Sequence, residues 1–361
     1  MTAAPLLHAE ALHRTYPLPG GRMLRAVDGI DLTLARGETL AIVGESGCGK
    51  STLGRLLLRL EEADSGRILL DGTDMRGLRG AALRAMRRRV QVVFQDPYGS
   101  LNPRERIRDA LVRPMLLHRL CDRAEAHRRA AALMERVGLS AAQLDRLPHQ
   151  FSGGQRQRVA IARALSVGPD LIICDEPVSA LDVSVQAQVA NLLQDLQRDT
   201  GVSLVFISHD LAVVRHLAHH VAVMYAGRVV EAGPSATVFA DPRHPYTRAL
   251  LEAAPRTDTG PRAPAPLAGE PPNPAAPPPG CRFAARCPEA RDTCRRDPQP
   301  ALRVIAPAHQ AACHFAEALP PFTALAAAGT PAPALAARIA AYRRARDQDR
   351  AAVSERPTPC A

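Results

Sequence analysis

Short apolar runs without alternation are the most regular feature of this chain. Residues 40–43, 171–174 and 204–207 are apolar throughout, and polar or turn-forming residues bound each run. Such runs are typical of strands buried on both faces, as in a parallel sheet. The ligand of a parallel sheet lies at the carboxyl ends of its strands. The pattern therefore predicts an α/β fold with a site at that edge.

Side chains of catalytic type follow each predicted strand. The first strand leads into a glycine-rich loop that contains Lys50. Asp175 and Glu176 follow the second strand, and His209 follows the third. Because the strands end at one edge of the sheet, we expect these side chains to lie close together. Pro177 disfavours helical geometry at the preceding residue, so we expect Glu176 to be extended.

Composition divides the rest of the chain. Residues 1–255 are predicted to form one domain, with a helical lobe over about 98–165. Ten prolines among residues 255–279 predict an irregular linker, and residues 256–323 form a second region with four cysteines. Residues 324–361, rich in Ala, Pro and Arg, are predicted to be a partly disordered tail.

Charge and apolar content narrow the partners and the compartment. The formal charge of +10 and the pI near 9.7 favour anionic partners: nucleotides, nucleic acid or the inner face of a membrane. The sequence has no run of about 18 apolar residues and no N-terminal export pattern. We therefore expect a reducing compartment, with membrane attachment through a partner.

The chain uses lysine once, because Lys50 is the only lysine among 46 strongly basic residues. It completes the pattern G-x-x-x-x-G-K-[ST] of a phosphate-binding loop. The glycines let backbone N–H groups face the β- and γ-phosphates, which Lys50 bridges, while Ser51 supplies a hydroxyl to Mg2+. The predicted ATP-binding residues of this loop are Gly44, Glu45, Ser46, Gly47, Cys48, Gly49, Lys50, Ser51 and Thr52.

The two carboxylates after the second strand are expected to have different duties, because consecutive strand residues point in opposite directions. Asp175 is predicted to hold Mg2+ through water. Glu176 is predicted to orient and polarise the water that attacks the γ-phosphate.

Residues 151–158 (Phe-Ser-Gly-Gly-Gln-Arg-Gln-Arg) carry a resemblance to a known family. Here the chain resembles the ATP-binding subunits of ABC transporters, whose signature is LSGGQ, with Phe151 in place of leucine. The resemblance implies a P-loop NTPase with a RecA-like, mostly parallel core sheet. It also implies an antiparallel β subdomain, a helical signature subdomain and a small Cys-containing C-terminal extension. Two such domains pack head to tail in that family. Each signature, here Ser152, Gly153, Gly154 and Gln155, then closes over the ATP held by the other subunit.

Other motifs of the family match in order. Gln95 resembles the Q-loop glutamine that links Mg2+ to the membrane-subunit contact, and Asp182 resembles the D-loop aspartate. His209 is similar to the switch histidine at the γ-phosphate, and Tyr16 to the aromatic residue that stacks on adenine. The predicted catalytic residues are thus Glu176, His209 and Gln95, and the predicted Mg2+ ligands are Ser51, Gln95 and Asp175.

Within the family, the chain most resembles dipeptide/oligopeptide permease ATPases. Residues 24–28, 92–103, 175–185 and 242–251 carry this resemblance. It implies ATP-driven import of di- or oligopeptides at the cytoplasmic face of the inner membrane. The implied partners are a paired ABC ATPase, two membrane permease subunits and an extracytoplasmic substrate-binding protein. Nickel or glutathione-like substrates stay open.

A nucleic-acid-associated ABC ATPase is the alternative from a different class. Residues 84–89 contain four arginines, which suits a phosphate backbone. However, the chain has one phosphate loop and one signature, and only 3% aromatic residues for base stacking. We therefore expect no nucleic-acid partner.

Four cysteines in the second region form the pattern C-x5-C-x6-C-x18-C. They are Cys281, Cys287, Cys294 and Cys313. The segment is poor in apolar residues, which suggests a stabilising metal. Zinc sites usually have closer cysteine pairs, so a 4Fe-4S cluster, as understood for some relatives, fits better. Unliganded thiols and zinc stay open.

The single lysine, Lys50, predicts that the phosphate-binding loop has no room for a larger cationic side chain. Lys50→Arg keeps the charge, but a planar guanidinium is too large for a tight turn of N–H groups around phosphate. We expect loss of ATP-driven transport, measured as substrate uptake, and normal transport by this variant would contradict the interpretation.

Overall fold

The computed structural model describes residues 4–179, 181–253, 269–296 and 298–322. Part of the predicted linker and the whole predicted tail from 324 lie outside the described residues. The strands are β1 (Leu7–Pro17), β2 (Met23–Leu34), β3 (Thr39–Val43), β4 (Ser65–Leu70), β5 (Thr73–Asp74), β6 (Val90–Val93), β7 (Leu171–Asp175), β8 (Ser203–Ser208), β9 (His220–Tyr225), β10 (Arg228–Pro234), β11 (Arg303–Ala306) and β12 (His309–Ala311).

The α-helices connect and cover these strands. They are α1 (Lys50–Leu57), α2 (Gly80–Arg89), α3 (Pro97–Ser100), α4 (Ile107–Leu117), α5 (Arg123–Arg136), α6 (Gly153–Leu165), α7 (Val183–Thr200), α8 (Leu211–Leu217), α9 (Ser235–Ala240) and α10 (Pro245–Ala253). Short 3-10 helices occupy Ala141–Asp145, Pro148–Gln150, Asp292–Arg295 and Ala316–Ala318.

The larger sheet has the order β11-β12-β10-β9-β3-β8-β7-β6, and its last five strands are parallel. The three apolar runs fall in β3, β8 and β7, which are adjacent, and every residue of β3 and β8 is buried. A second, antiparallel sheet has the order β2-β1-β4-β5. The predicted parallel core sheet and antiparallel β subdomain are both confirmed.

Helices α4, α5 and α6 lie between β6 and β7 in the chain and pack on one another. Residues four apart form their buried faces: Ile107, Leu111 and Met115 of α4, and Ala126, Ala130 and Met134 of α5. This spacing places apolar side chains on one side of each helix. Asp122 caps α5 by accepting a 2.8 Å hydrogen bond from the N–H of Glu125.

The second region returns to the first domain at a buried carboxylate. Glu231 of β10 is fully buried, and β12 pairs with β10 beside it. The Glu231 carboxylate accepts hydrogen bonds from the N–H groups of Arg243 (2.6 Å) and His244 (3.0 Å). Nε2 of His309 lies 2.8 Å from the same carboxylate. A buried charge is tolerated only with such partners, so Glu231 joins β12 to the larger sheet.

A second buried carboxylate joins the same region to the antiparallel sheet. Asp28 of β2 is 5% exposed and pairs with Arg282, while Nε of Arg228 donates to it at 3.1 Å. Burial alone would raise the pKa of Asp28, but the charges and hydrogen bonds of Arg228 and Arg282 outweigh it and lower the pKa. Arg282 also donates to the carbonyl oxygen of Ala226.

The role of Glu231 can be tested by unfolding. Glu231→Leu leaves the N–H groups of Arg243 and His244 and the buried ring of His309 without an acceptor, so we expect the free energy of unfolding to fall by about 3 to 5 kcal/mol. Urea denaturation measures it. Glu317→Leu, which removes an exposed partner of Arg303, is the control and should cost much less. Equal losses would contradict this account.

Candidate functional site

A cavity of about 310 Å3 lies where β3 and β7 end. The loop after β3 lines this cavity, together with side chains from several other elements. Residues that line it include Tyr16, Ser46, Gly47, Cys48, Gly49, Lys50, Ser51, Thr52, Gln95, Glu176 and Pro274. The structure therefore brings together most of the residues predicted from the loop and strand-end motifs.

The loop has a conformation that requires glycine. Gly44 and Gly49 have φ of 155° and 105°. A Cβ atom at Gly44 would lie 2.2 Å from the carbonyl oxygen of Met224, and one at Gly49 would lie 2.1 Å from that of Ala26. The loop thus lies directly against the backbone near the end of β9 and near the start of β2, where no side chain fits.

Lys50 is directed into the loop. Its side chain is buried, and Nζ donates to the carbonyl oxygens of Gly44 and Glu45, both at 2.9 Å. An ammonium has three donors, so one remains for an anion in the cavity. Helix α1 begins here without a side-chain cap at Gly49, which leaves its first N–H groups available to an anion as well.

Asp175 and Ser51 form the part of the site suited to a cation. The Ser51 hydroxyl donates to Oδ1 of Asp175 at 3.1 Å. Burial raises the pKa of Asp175 and the charge of Glu176 adds to this, while the Ser51 hydrogen bond opposes it. A partly buried carboxylate with a raised pKa gains from a bound cation, so this pair has the donor chemistry that Mg2+ prefers.

Glu176 is not extended, so the prediction of extended backbone at this residue was wrong. Its φ is 47°, in the left-handed region, and Ser179 donates back to its carbonyl oxygen through N–H (3.3 Å) and hydroxyl (3.1 Å). The chain turns directly after β7. This turn pairs the carbonyl oxygen of Glu176 with the N–H of Ser179, so both backbone groups are hydrogen-bonded. The turn places the Glu176 carboxylate 3.4 Å from Nδ1 of His209.

Gln95 and Tyr16 lie on opposite sides of the loop motif in sequence, and both line the cavity. Gln95 is exposed and follows β6. The Tyr16 hydroxyl bonds to Glu61, and the guanidinium of Arg14 lies 4.8 Å from the centre of its ring.

The predicted signature lies away from this cavity. Ser152 caps α6, where its hydroxyl accepts from the N–H of Gln155 at 3.3 Å and its own N–H donates to Oε1 of Gln155 at 3.0 Å. A Cβ at Gly154 would lie 2.5 Å from Val185, so the helix start packs against α7. The structure thus leaves Ser152, Gly153, Gly154, Gln155 and the exposed Asp182 outside the lining of the cavity.

Residues of the second region also reach the site, and the sequence motifs did not identify them. Pro274 lines the cavity, and its carbonyl oxygen accepts from the N–H of Arg25 at 3.2 Å. Arg286 pairs with Glu45 of the loop. These contacts span more than two hundred residues of sequence, and no local spacing signals them.

The four cysteines of the second region line one small cavity of about 20 Å3 together with Phe283 and Phe315. Burial raises the pKa of Cys281 to about 11 and that of Cys287 to about 12. The donor set suits a cluster, but the space suits about one water. Among the described residues, no three His, Cys, Asp or Glu side chains are arranged to hold a metal ion.

Among the described helices, none has the length and apolar character needed to cross a bilayer.

Two family models match the chain. Residues 27–179 match the ABC transporter model, and residues 230–294 match the model of the oligopeptide/dipeptide transporter C-terminal region. The chain is 51% identical over 289 residues to the dipeptide transport ATP-binding protein DppF of Escherichia coli, covering 78% of this chain and 86% of that protein. It is 52% identical over 316 residues to the probable peptide ABC transporter ATP-binding protein y4tS of Sinorhizobium fredii, covering 86% and 89%.

Solved structures give the same picture of the fold. The chain is 31% identical to cbiO1 of Clostridium perfringens, part of the ABC transporter complex cbiONQ, with a TM-score of 0.59 over 66% of this chain and 92% of that one. It is 28% identical to the ATP-binding cassette MJ0796, solved as a dimer bound to ADP and Pi, with a TM-score of 0.58 over 63% and 98%.

Proposed function

Because this chain belongs to the family of ABC transporter ATP-binding proteins, we propose that it is the ATP-hydrolysing subunit of a di- or oligopeptide importer. The observation that carries the proposal is that one cavity holds the Lys50 loop and the Glu176 carboxylate. The relatives named for dipeptide and peptide transport support a peptide substrate.

The loop residues bind the nucleotide in this proposal. N–H groups at the start of α1 and the free donor of Lys50 hold the β- and γ-phosphates. Ser51 and Asp175, already hydrogen-bonded, would provide the hydroxyl and the carboxylate for Mg2+, together with Gln95, which lines the cavity. The chemistry that Mg2+ would supply there is neutralisation of the phosphate charge that develops during transfer. Tyr16 positions the adenine by stacking.

Glu176 and His209 act on the attacking water. The turn after β7 brings the Glu176 carboxylate to the cavity wall, where it accepts a hydrogen bond from a water and orients it in line with the γ-phosphate. His209, 3.4 Å from that carboxylate, holds its orientation and reaches the γ-phosphate when ATP is bound.

The site is completed by partners. Since Ser152, Gly153, Gly154 and Gln155 lie outside the cavity of their own chain, they are free to close over ATP in a paired ATPase, whose signature closes here in return. Asp182 lies at that interface. Phe94, exposed beside Gln95, offers an apolar contact to one of two membrane permease subunits at the inner membrane's cytoplasmic face. An extracytoplasmic binding protein delivers the peptide.

The 4Fe-4S cluster stays a prediction of the sequence, and no step of the mechanism depends on it. Anaerobic purification followed by iron and acid-labile sulfide analysis tests it. We expect about four of each per chain if all four thiolates bind the cluster. A colourless, iron-free protein would contradict the cluster and leave zinc or unliganded thiols.

The role of Glu176 predicts a separation of binding from turnover. Glu176→Gln keeps the size of the side chain but removes its charge, so we expect ATP binding to be retained and the kcat for hydrolysis to fall by about 100-fold or more. Equilibrium binding and phosphate release by the assembled complex measure the two quantities.

Glu135→Gln is the matched control, because Glu135 lies exposed on α5 and should leave both quantities unchanged. Undiminished hydrolysis by Glu176→Gln would refute its assigned role.

A further inference from the structure

Arg286 of the second region makes a bidentate salt bridge with Glu45 of the phosphate loop. Its two terminal nitrogens donate to the two carboxylate oxygens of Glu45, at 2.7 and 2.8 Å. The Arg286 side chain is only 3% exposed, and it also donates to the Tyr225 hydroxyl at 3.3 Å. Paired bonds between a planar guanidinium and a carboxylate are strong and fix the geometry of both groups.

The backbone of Glu45 is held as tightly as its side chain. Its N–H donates to the hydroxyl of Tyr246 at 2.8 Å, and its carbonyl oxygen accepts from Nζ of Lys50 at 2.9 Å. Tyr246 in turn packs against Tyr225 and Phe283, with ring centres 4.5 and 5.4 Å away. Phe283 and Arg286 belong to one segment, so this segment supports the loop through both packing and hydrogen bonds.

The pair also resolves a conflict of charge. Glu45 places a carboxylate next to Ser46, which lines the cavity, in a loop that must receive a polyanion. An unpaired carboxylate there would repel the phosphates, and partial burial would strengthen the repulsion. A guanidinium stays charged at any physiological pH, and its hydrogen bonds to Glu45 raise the pKa of Arg286 further.

We propose that Arg286 is a positioning residue of the nucleotide site, which neutralises Glu45 and thereby sets the affinity of the loop for ATP. The inference rests on the proposed function of this loop in binding ATP. Pro274 of the same region supports it independently, because it lines the cavity and its carbonyl oxygen accepts a hydrogen bond from the N–H of Arg25. In this proposal, the second region contributes to the affinity of the ATP site.

Four variants of the full chain test this inference by calorimetric titration with ATP and with ADP. Arg286→Gln should lower ATP affinity about tenfold, equivalent to about 1.4 kcal/mol. The loss should be smaller for ADP, which carries less charge, and should grow at low salt. Adding Glu45→Gln to this variant should restore affinity to near the wild-type value, because no carboxylate is left to repel the phosphates.

Glu45→Gln alone should raise ATP affinity, which keeps the test decisive if Arg286→Gln does not fold. Arg295→Gln is the matched control, since Arg295 is an exposed arginine of the same segment and should have no effect. Unchanged affinity in Arg286→Gln would overturn the proposal. A loss that is equal for both nucleotides and is not restored by Glu45→Gln would indicate a merely structural role and would also overturn it.

The same titrations separate this inference from the proposed function. A wild-type chain that binds no ATP would contradict the function assigned to the loop. A wild-type chain that binds ATP, with Arg286→Gln binding equally well, would contradict only the role of Arg286.

Discussion

The close approach of a glycine loop to two backbone carbonyl groups is the constraint on which the rest of this structure depends. A Cβ atom at Gly44 or Gly49 would lie 2.2 or 2.1 Å from the carbonyl oxygens of Met224 and Ala26. The loop can therefore follow its path only with glycine there. That path turns Lys50 into the loop and presents the start of α1 to the cavity. The parallel sheet then brings Asp175 and Glu176 to the same edge.

This edge gathers acidic groups around a site for a polyanion, and each of them has a polar or charged partner. Asp175 has Ser51 and a place for Mg2+, and Glu176 faces His209. Glu45 has Arg286, which comes from a distant part of the chain. In the proposed mechanism, the carboxylates of Asp175 and Glu176 act on Mg2+ and on the attacking water, so they must stay available to the nucleotide. The third is neutralised in advance, so it does not oppose binding.

Much of this could be predicted from the sequence, because it depends on local patterns. Apolar runs predicted β3, β7 and β8, and glycine spacing predicted the loop. The turn at Glu176 was not predicted, since bonds from Ser179 decide its backbone and the rule for residues before proline excludes only helical geometry. The pairing of Arg286 with Glu45 was also beyond reach. It joins residues 241 positions apart through a fold that places two regions side by side, and neither residue has a local pattern that names the other.

The central claim is that ATP bound by this loop drives the import of peptides. The most direct test measures uptake of a labelled dipeptide by cells that lack this chain and by the same cells supplied with the wild-type chain or with Lys50→Ala. We predict that uptake is lost without the chain, returns with the wild-type chain and does not return with Lys50→Ala. Uptake that is unaffected by the loss of the chain would contradict the account.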